Sequence, residues 1–386
     1  MKKVRIGIIG IGNMGVSHSK YLSQKEVPNT ELTAVCDTSS DKIRWAKNSL
    51  GEHVRTFDNA DNLLESGAVD GVIIATPHYD HPSLAIKAFQ RGLHVLIEKP
   101  AGVYTKQVRE MNEAAQKSKL VFGIMFNQRT RANHQKMKDL VDSGELGEIQ
   151  RTNYTVTTWF RSQSYYDSGG WRATWSGEGG GVLLNQCPHN LDLWQWFCGM
   201  PQRVRAFCAF GKYHDIEVED DVTAYVEYEN GATGVFISTT GEAPGTNRLE
   251  IAADRGKVVL EENQITFWRS RESINKFNRE YSGGFGSPEI WKCEVPSGKN
   301  GEEHKGITKN WSDAIINGTS LLAPGVEGIR SLEIANAMLL SSWTDDWVNI
   351  PVEESQYREK LQKKIETSTF KKKDVGDRVL NISNSH

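Results

Sequence analysis

At 386 residues with a formal net charge of −3, the chain is long enough for two domains and lacks the basic excess of a nucleic-acid-binding protein. Its five cysteines (Cys36, Cys187, Cys198, Cys208 and Cys293) are scattered without C-x-x-C spacing, which argues against a disulfide scaffold or zinc ribbon and for a reducing cytoplasm. No apolar run approaches the ~20 residues that cross a bilayer, so no membrane is expected among the partners.

Residues 4–9 read as a buried first strand that stops at Gly10-Ile11-Gly12-Asn13-Met14-Gly15. Lys2 and Lys3 before it imitate a signal peptide, but Gly7, Gly10 and Gly12 break the run and a strand explains it better. A G-x-G-x-x-G between strand and helix is a dinucleotide cradle in which each glycine has its own task. Gly10 permits the tight turn, Gly12 admits a pyrophosphate to the backbone, and Gly15 lets the helix close on the strand. The helix that starts beyond it points its N–H groups at phosphate. A second strand at 31–36 ends in Asp37, about 20 residues past the last glycine, where an acid accepts the ribose hydroxyls. That favours NAD, with NADP left open because Thr38, Ser39, Ser40 and Arg44 follow closely.

Further short apolar runs at 70–75, 93–97 and 120–125 lack polar alternation, and 80–91 is an amphipathic helix. Residues 1–125 are therefore expected to form a doubly wound parallel sheet of α/β type, a Rossmann domain for NAD(P). From 126 the character changes. Segments 149–160, 203–210, 222–229, 232–239, 246–254 and 256–267 alternate in polarity, with a hairpin signal at Tyr228-Glu-Asn-Gly231. The expectation for 126–386 is an α+β domain with a large, open, mostly antiparallel sheet, one face solvated or paired with another subunit. Helices are expected at 308–317 and 327–345, and a charged helix followed by a surface tail over 352–386.

Three groups of residues carry chemistry. The fifth strand ends in Glu98-Lys99-Pro100, at the carboxyl end of a parallel strand where such sheets bind ligands. Desolvation there lowers a lysine's pKa and suits it to share a proton with a substrate hydroxyl, with Glu98 compensating its charge. Downstream, Gly179-Gly-Gly leads to Asn185, His189, Asp192 and Trp196, spaced for one helical face, and Pro188 either starts that helix or kinks it. His189 is the natural proton acceptor near neutral pH. Between them, Trp159-Phe160-Arg161, Tyr165-Tyr166 and Trp171-Arg172 combine aromatic faces for sugar C–H surfaces with guanidinium donors, or form core or a subunit contact. Two clusters are set aside. His78 and His81 have no third ligand at metal spacing, so no metal is expected, and Glu217, Glu219, Asp220 and Asp221 read as a solvated hairpin or sheet edge.

In this order, the glycine motif, Glu98-Lys99-Pro100 and the Gly-Gly-Gly…His189-x-x-Asp192 segment resemble the glucose–fructose oxidoreductase / inositol dehydrogenase / rhizopine catabolism (Gfo/Idh/MocA) family. Ala75-Thr76-Pro77 with His81, and Asn127-Gln128-Arg129, match the family's cofactor loops, and the resemblance extends to about residue 351. It implies reversible oxidation of a secondary hydroxyl on a sugar, glycoside or cyclic polyol by NAD or NADP, in a homodimer or homotetramer joined through the C-terminal sheet. By position it assigns catalysis to Lys99, His189 and Asn185. It assigns the cofactor to Gly10, Gly12, Asn13, Met14, Gly15, Asp37, Thr76, Pro77, His81, Glu98, Lys99 and Asn127. Lys99, Tyr166, Trp171, Arg172, Asn185 and His189 are expected to meet substrate. Asn185 stands where many members carry aspartate, and His78 where the usual residue is asparagine. Asparagine takes no proton, so proton removal falls to His189, with Lys99 stabilising the alkoxide. Two other activities suit the same scaffold: glycoside cleavage through transient oxidation and elimination, and a non-catalytic dinucleotide-bound regulator.

Overall fold

The computed structural model describes residues 3–298 and 301–372. Its first layer is a six-stranded parallel sheet: β1 (Val4–Ile9), β2 (Thr30–Cys36), β3 (Arg55–Phe57), β4 (Gly71–Ile74), β5 (His94–Ile97) and β6 (Phe122–Ile124), in the order β3-β2-β1-β4-β5-β6. The apolar runs are strands because both faces are covered, so nearly every side chain of β1, β4 and β5 is buried. The short edge strand β3 was not expected; one exposed and two half-buried residues leave no pattern to read. Helices α1 (Asn13–Ser23), α2 (Ser40–Ser49), α3 (Ala60–Glu65), α4 (Asp80–Gln90) and α5 (Thr105–Ser118) make the crossovers. The strand order reverses between β1 and β4, and at that switch point the carboxyl ends of the strands open a crevice.

After α6 (Ala132–Asp142) comes the second layer, a nine-stranded sheet ordered β14-β13-β12-β11-β7-β10-β9-β8-β15. Its strands are β7 (Ile149–Val156), β8 (Arg203–Phe210), β9 (Glu219–Glu227), β10 (Thr233–Thr239), β11 (Asn247–Ala253), β12 (Gly256–Glu261), β13 (Gln264–Ser270), β14 (Ile290–Val295) and β15 (Val348–Asn349). All neighbours are antiparallel except β7 with β10. The single strand expected over 256–267 is in fact a hairpin, turned by Glu262 and Asn263, both at positive φ. Without glycine or proline at the turn, its sequence hides the reversal. Helices α7 (Gln163–Asp167), α8 (Pro188–Cys198), α9 (Ile274–Glu280), α10 (Glu303–Asn317), α11 (Gly328–Thr344) and α12 (Glu354–Thr367) complete the chain. One face of the sheet is packed by α8 and α11, and the other exposes Phe207 and Tyr225.

Two late segments pack back onto earlier parts of the fold. Trp311 of α10 is fully buried against Gly71 of β4 and Gly123 of β6, both of which lack the Cβ that would meet its ring. The tail expected at the surface is anchored instead. Tyr357 of α12 stacks on Trp343 at 5.3 Å, and Lys364 lies over Trp175, Phe210 and Trp343. The chain then runs back toward the loop 161–178: Ser368 bonds Glu217, which accepts from Trp175 N, and Lys372 bonds the carbonyl of Arg172. Residues 373–386 of the expected tail lie outside the described residues.

Candidate active site

The glycine motif divides its work as the sequence suggests. A Cβ at Gly10 (φ +94°) would stand 2.7 Å from the Ala75 carbonyl, and one at Gly15 1.9 Å from the Gly10 carbonyl, whereas one at Gly12 meets nothing within 4 Å. Gly12 is also the N-cap of α1 and offers no side chain to its first N–H groups, with Asn13 and Met14 half-buried in the first turn. Asp37 closes the cradle: its Oδ2 accepts from Ile11 N at 2.7 Å and its Oδ1 from Ser39 N at 2.9 Å. Each carboxylate oxygen has a second lone pair for a ribose hydroxyl. Among the described residues the buried Thr76 Oγ1 and Asn127 Oδ1 have no hydrogen-bond partner, and both belong to the loops expected to meet cofactor. An open glycine, an uncapped helix start, a poised carboxylate and two orphaned oxygens fit a dinucleotide. His81 has a different position from the one expected. It is fully buried, and its ring nitrogens lie 2.8 Å from the carbonyls of Thr76 and Pro100, so it joins the two loops from beneath. Pro77 opens α4 by accepting from Asp80 N.

Beneath the crevice, Glu98 Oε1 is 2.6 Å from His18 Nε2, and His18 Nδ1 is 2.8 Å from the Tyr21 hydroxyl, which bonds Thr308. Burial alone would raise the Glu98 carboxyl, but the bond and charge of His18, with His304 and Lys99, overcome it and hold the pKa at about 2. Glu98 is therefore a fixed anion that stabilises the cationic form of Lys99. Burial still brings Lys99 below the usual lysine range, helped by Arg172 and Arg161. His18 lies three residues past Gly15, on the helix that the motif begins, and only the fold reveals its partner.

Lys99 Nζ donates to the Asn185 carbonyl at 2.7 Å, one turn ahead of His189. This bond brings the end of β5 to the segment that carries the histidine. Pro188 is the first residue of α8, so it starts the helix and does not kink it. Asn185 consequently lies in the turns before α8, not on the face expected for it with His189, Asp192 and Trp196. Asp192 points elsewhere too: it grips Arg129 through two bonds of 2.6 and 2.8 Å. His189 is buried, with Phe126 edge-on at 6.4 Å.

Asn185 itself is held by a residue the sequence did not single out. Its amide donates to the buried Glu178, whose other oxygen accepts from Ala173 N at 2.6 Å. Burial raises the Glu178 pKa against the pull of Arg172. The only signal was its place directly before three glycines. Tyr165, not Tyr166, is the hub of the aromatic cluster. The Tyr165 hydroxyl accepts from Arg172 at 2.8 Å and Gln186 at 3.2 Å and lies 3.3 Å from Asn185 Oδ1. Tyr166 is buried and gives its hydroxyl to Thr240. Trp171 packs edge-on against His78 at 5.5 Å, and His78 Nδ1 is 3.3 Å from the Glu178 carbonyl.

The acidic run is not solvated as expected; Glu219 and Asp220 are fully buried. Glu219 Oε1 accepts from Gly181 N and Leu183 N, pinning the triple-glycine loop, and burial pushes its pKa up to about 7. Asp220 takes the N–H groups of Lys212, Tyr213 and His214, and Glu217 takes that of Trp175. Backbone donors replace water at Glu219 Oε1, Asp220 and Glu217, so these side chains serve loop geometry. Among the described residues no group of three or more His, Cys, Asp or Glu side chains is arranged to hold a metal, and no helix is long and apolar enough to cross a membrane.

Comparison with known proteins agrees with this geometry. A model described as an oxidoreductase family with an NAD-binding Rossmann fold matches residues 4–126, and a GFO/IDH/MocA C-terminal domain model matches 134–259. The rhizopine catabolism protein MocA of Rhizobium meliloti is 29% identical over 52% of this chain and 58% of its own length. Levoglucosan dehydrogenase of Pseudarthrobacter phenanthrenivorans is 24% identical over 91% and 99%. The crystal structure of the WlbA dehydrogenase from Bordetella pertussis, in complex with NADH and UDP-GlcNAcA, superposes with a TM-score of 0.77 at 25% identity, covering 91% of this chain and all of that one. Other distant relatives are named as inositol and glucoside dehydrogenases. On matching models over both of its layers, the chain belongs to the Gfo/Idh/MocA oxidoreductase family.

Proposed function

We propose that the protein is an NAD-dependent dehydrogenase of a secondary hydroxyl on a sugar, glycoside or cyclic polyol. The observation that carries this reading is the Lys99–Asn185 bond, which brings the strand-end ammonium to the turn preceding His189. Bound NAD supplies the hydride acceptor; the rest falls to side chains. The Lys99 ammonium, desolvated but held charged by Glu98, donates to the substrate oxygen and stabilises it as negative charge develops. His189 takes the hydroxyl proton. Asn185, fixed by Glu178, orients the substrate and moves no proton. Asp37 selects NAD by repelling a 2′-phosphate. The five unpaired cysteines suit a reducing cytoplasm. The exposed Phe207 and Tyr225 on the open sheet face suit a homodimer or homotetramer, which sedimentation equilibrium would test.

The test of function is NADH formation at 340 nm from a panel of sugars, cyclitols and glycosides. Turnover by the wild-type protein, lost in His189→Ala and Lys99→Ala while NAD still binds, supports the assignment. Undiminished turnover in both variants ends it.

A further inference from the structure

Elsewhere in this fold a buried arginine is neutralised. The buried Arg129 guanidinium meets both Asp192 and Glu327 at 2.6 Å. The cations around Tyr165 are treated differently. The Arg161 and Arg172 guanidiniums lie 5.2 and 4.6 Å from the same Tyr165 ring centre, so they are within about 10 Å of each other. Both lower the pKa of Lys99 by their charge. From the other end of the chain, Lys372 reaches the Arg172 carbonyl. Four cations from three separate segments thus act on one another here.

Their counter-charge is short. Among the described residues none of the four has a carboxylate oxygen within ion-pair distance. Glu98 answers Lys99; Glu178 acts on Lys99 and Lys372, but its oxygens are committed to Asn185 and Ala173, and burial draws it toward its neutral form. Asp167 acts on Lys372 more weakly and bonds Gln163. His78, facing the same cations, is kept neutral by burial. Each guanidinium spends only one amino group on the protein: Arg172 on Tyr165 and Arg161 on the Phe160 carbonyl. The remaining fork of each is half-buried without an acceptor among the described residues. Aromatic stacking fixes the forks, since Arg172 also lies 4.7 Å from the Trp171 ring and Arg161 5.5 Å from that of Trp159. Planar donors held rigid, with free edges and excess positive charge, are the design for a planar or tetrahedral oxyanion.

We infer that Arg161, Arg172 and Lys372 form an anion subsite beside Lys99, which takes a carboxylate or phosphate carried by the sugar that is oxidised. The inference rests on the dehydrogenase reading and narrows its substrate class from neutral to acidic sugars. A bound anion supplies the charge the cluster lacks and, by docking away from the reacting carbon, orients the hydroxyl toward His189.

The experiment compares NADH formation from D-glucuronate and D-galacturonate (carboxylate arm), D-glucose 6-phosphate (phosphate arm), and D-glucose and D-galactose. The expected result is a kcat/KM for at least one acidic sugar about tenfold or more above that of its neutral parent, as a charge-assisted contact provides. The preference should collapse in Arg161→Met/Arg172→Met, weaken in Lys372→Met and with added NaCl, and persist in Arg172→Lys. Neutral sugars turned over as well as acidic ones would overturn the subsite and leave the dehydrogenase intact. Should no sugar yield NADH, the dehydrogenase reading fails, and calorimetric titration with glucuronate and glucose 6-phosphate decides the subsite. Saturable binding lost in the double methionine variant upholds it; absence of binding overturns it.

Discussion

Two sets of cations meet the segment 185–198, and the fold treats them in opposite ways. Arg129 is sealed, with its charge matched by Asp192 and Glu327 and its faces covered by Phe126 and Trp196. Arg161 and Arg172 are half-buried with no carboxylate within ion-pair distance among the described residues, Lys99 is stabilised by Glu98 without pairing to it, and their donors are partly unspent. The first arrangement holds α8 in place; the second keeps positive charge ready for something outside the chain. A closed ion pair tells of architecture, and an open cation beside it tells of chemistry.

The largest effect should come from the open side. Lys99→Ala and His189→Ala are each expected to lower kcat by about 10²–10⁴-fold, the usual worth of a general acid–base group. Thermal unfolding of Lys99→Ala should barely change, because the cost of desolvating the ammonium offsets its attraction to Glu98. On the closed side, Asp192→Ala strands a buried guanidinium and should cost about 3–5 kcal/mol in urea unfolding, while Arg172→Met costs far less. Equal losses from those two substitutions would erase the distinction between the clusters. A smaller effect is expected at the cradle: Asp37→Ala should raise the KM for NAD about tenfold by removing a charge-assisted contact, and narrow the gap to NADP. Unchanged discrimination between the cofactors would place selectivity elsewhere.

The smallest effect concerns pH. Glu219 titrates near 7 in the folded chain and near 4.3 unfolded, so the unfolded state releases its proton first as pH rises. The stability it contributes is complete below about pH 4.3 and is lost progressively toward about pH 7. Urea midpoints of the wild type, measured against Glu219→Gln from pH 5 to 7, should fall relative to the variant. Parallel curves would mean that the carboxylate is already ionised in the folded protein at pH 5.

Legibility followed the range of the physics. Gly10, Gly12 and Gly15 were readable because their task is local: a turn, an approach and a close contact within six residues. Lys99 was readable because Pro100 and the strand end define its position. His189 lies in the segment Lys99 reaches, but the helical spacing that groups it with Asn185 fails, since α8 begins only at Pro188. The hairpin within 256–267 was invisible because Glu262 and Asn263 adopt positive φ without a glycine to announce it.

Other differences concern charge. Glu219 and Asp220 look like solvent-facing acids in a string of letters, yet Gly181 and Leu183, 38 and 36 residues away, donate the backbone hydrogens that let Glu219 be buried. Glu178 and Lys372 enter the site only because a glycine-rich loop and a late segment are folded against each other. By itself the amino-acid order determined which stretches are apolar, where the chain turns at glycine and proline, and hence the Rossmann layer with its cradle. Which charges are buried, which are matched and which are left open was decided only in three dimensions, because a charge is neutralised by whatever lies within a few ångströms in space, and that neighbour is rarely near in sequence.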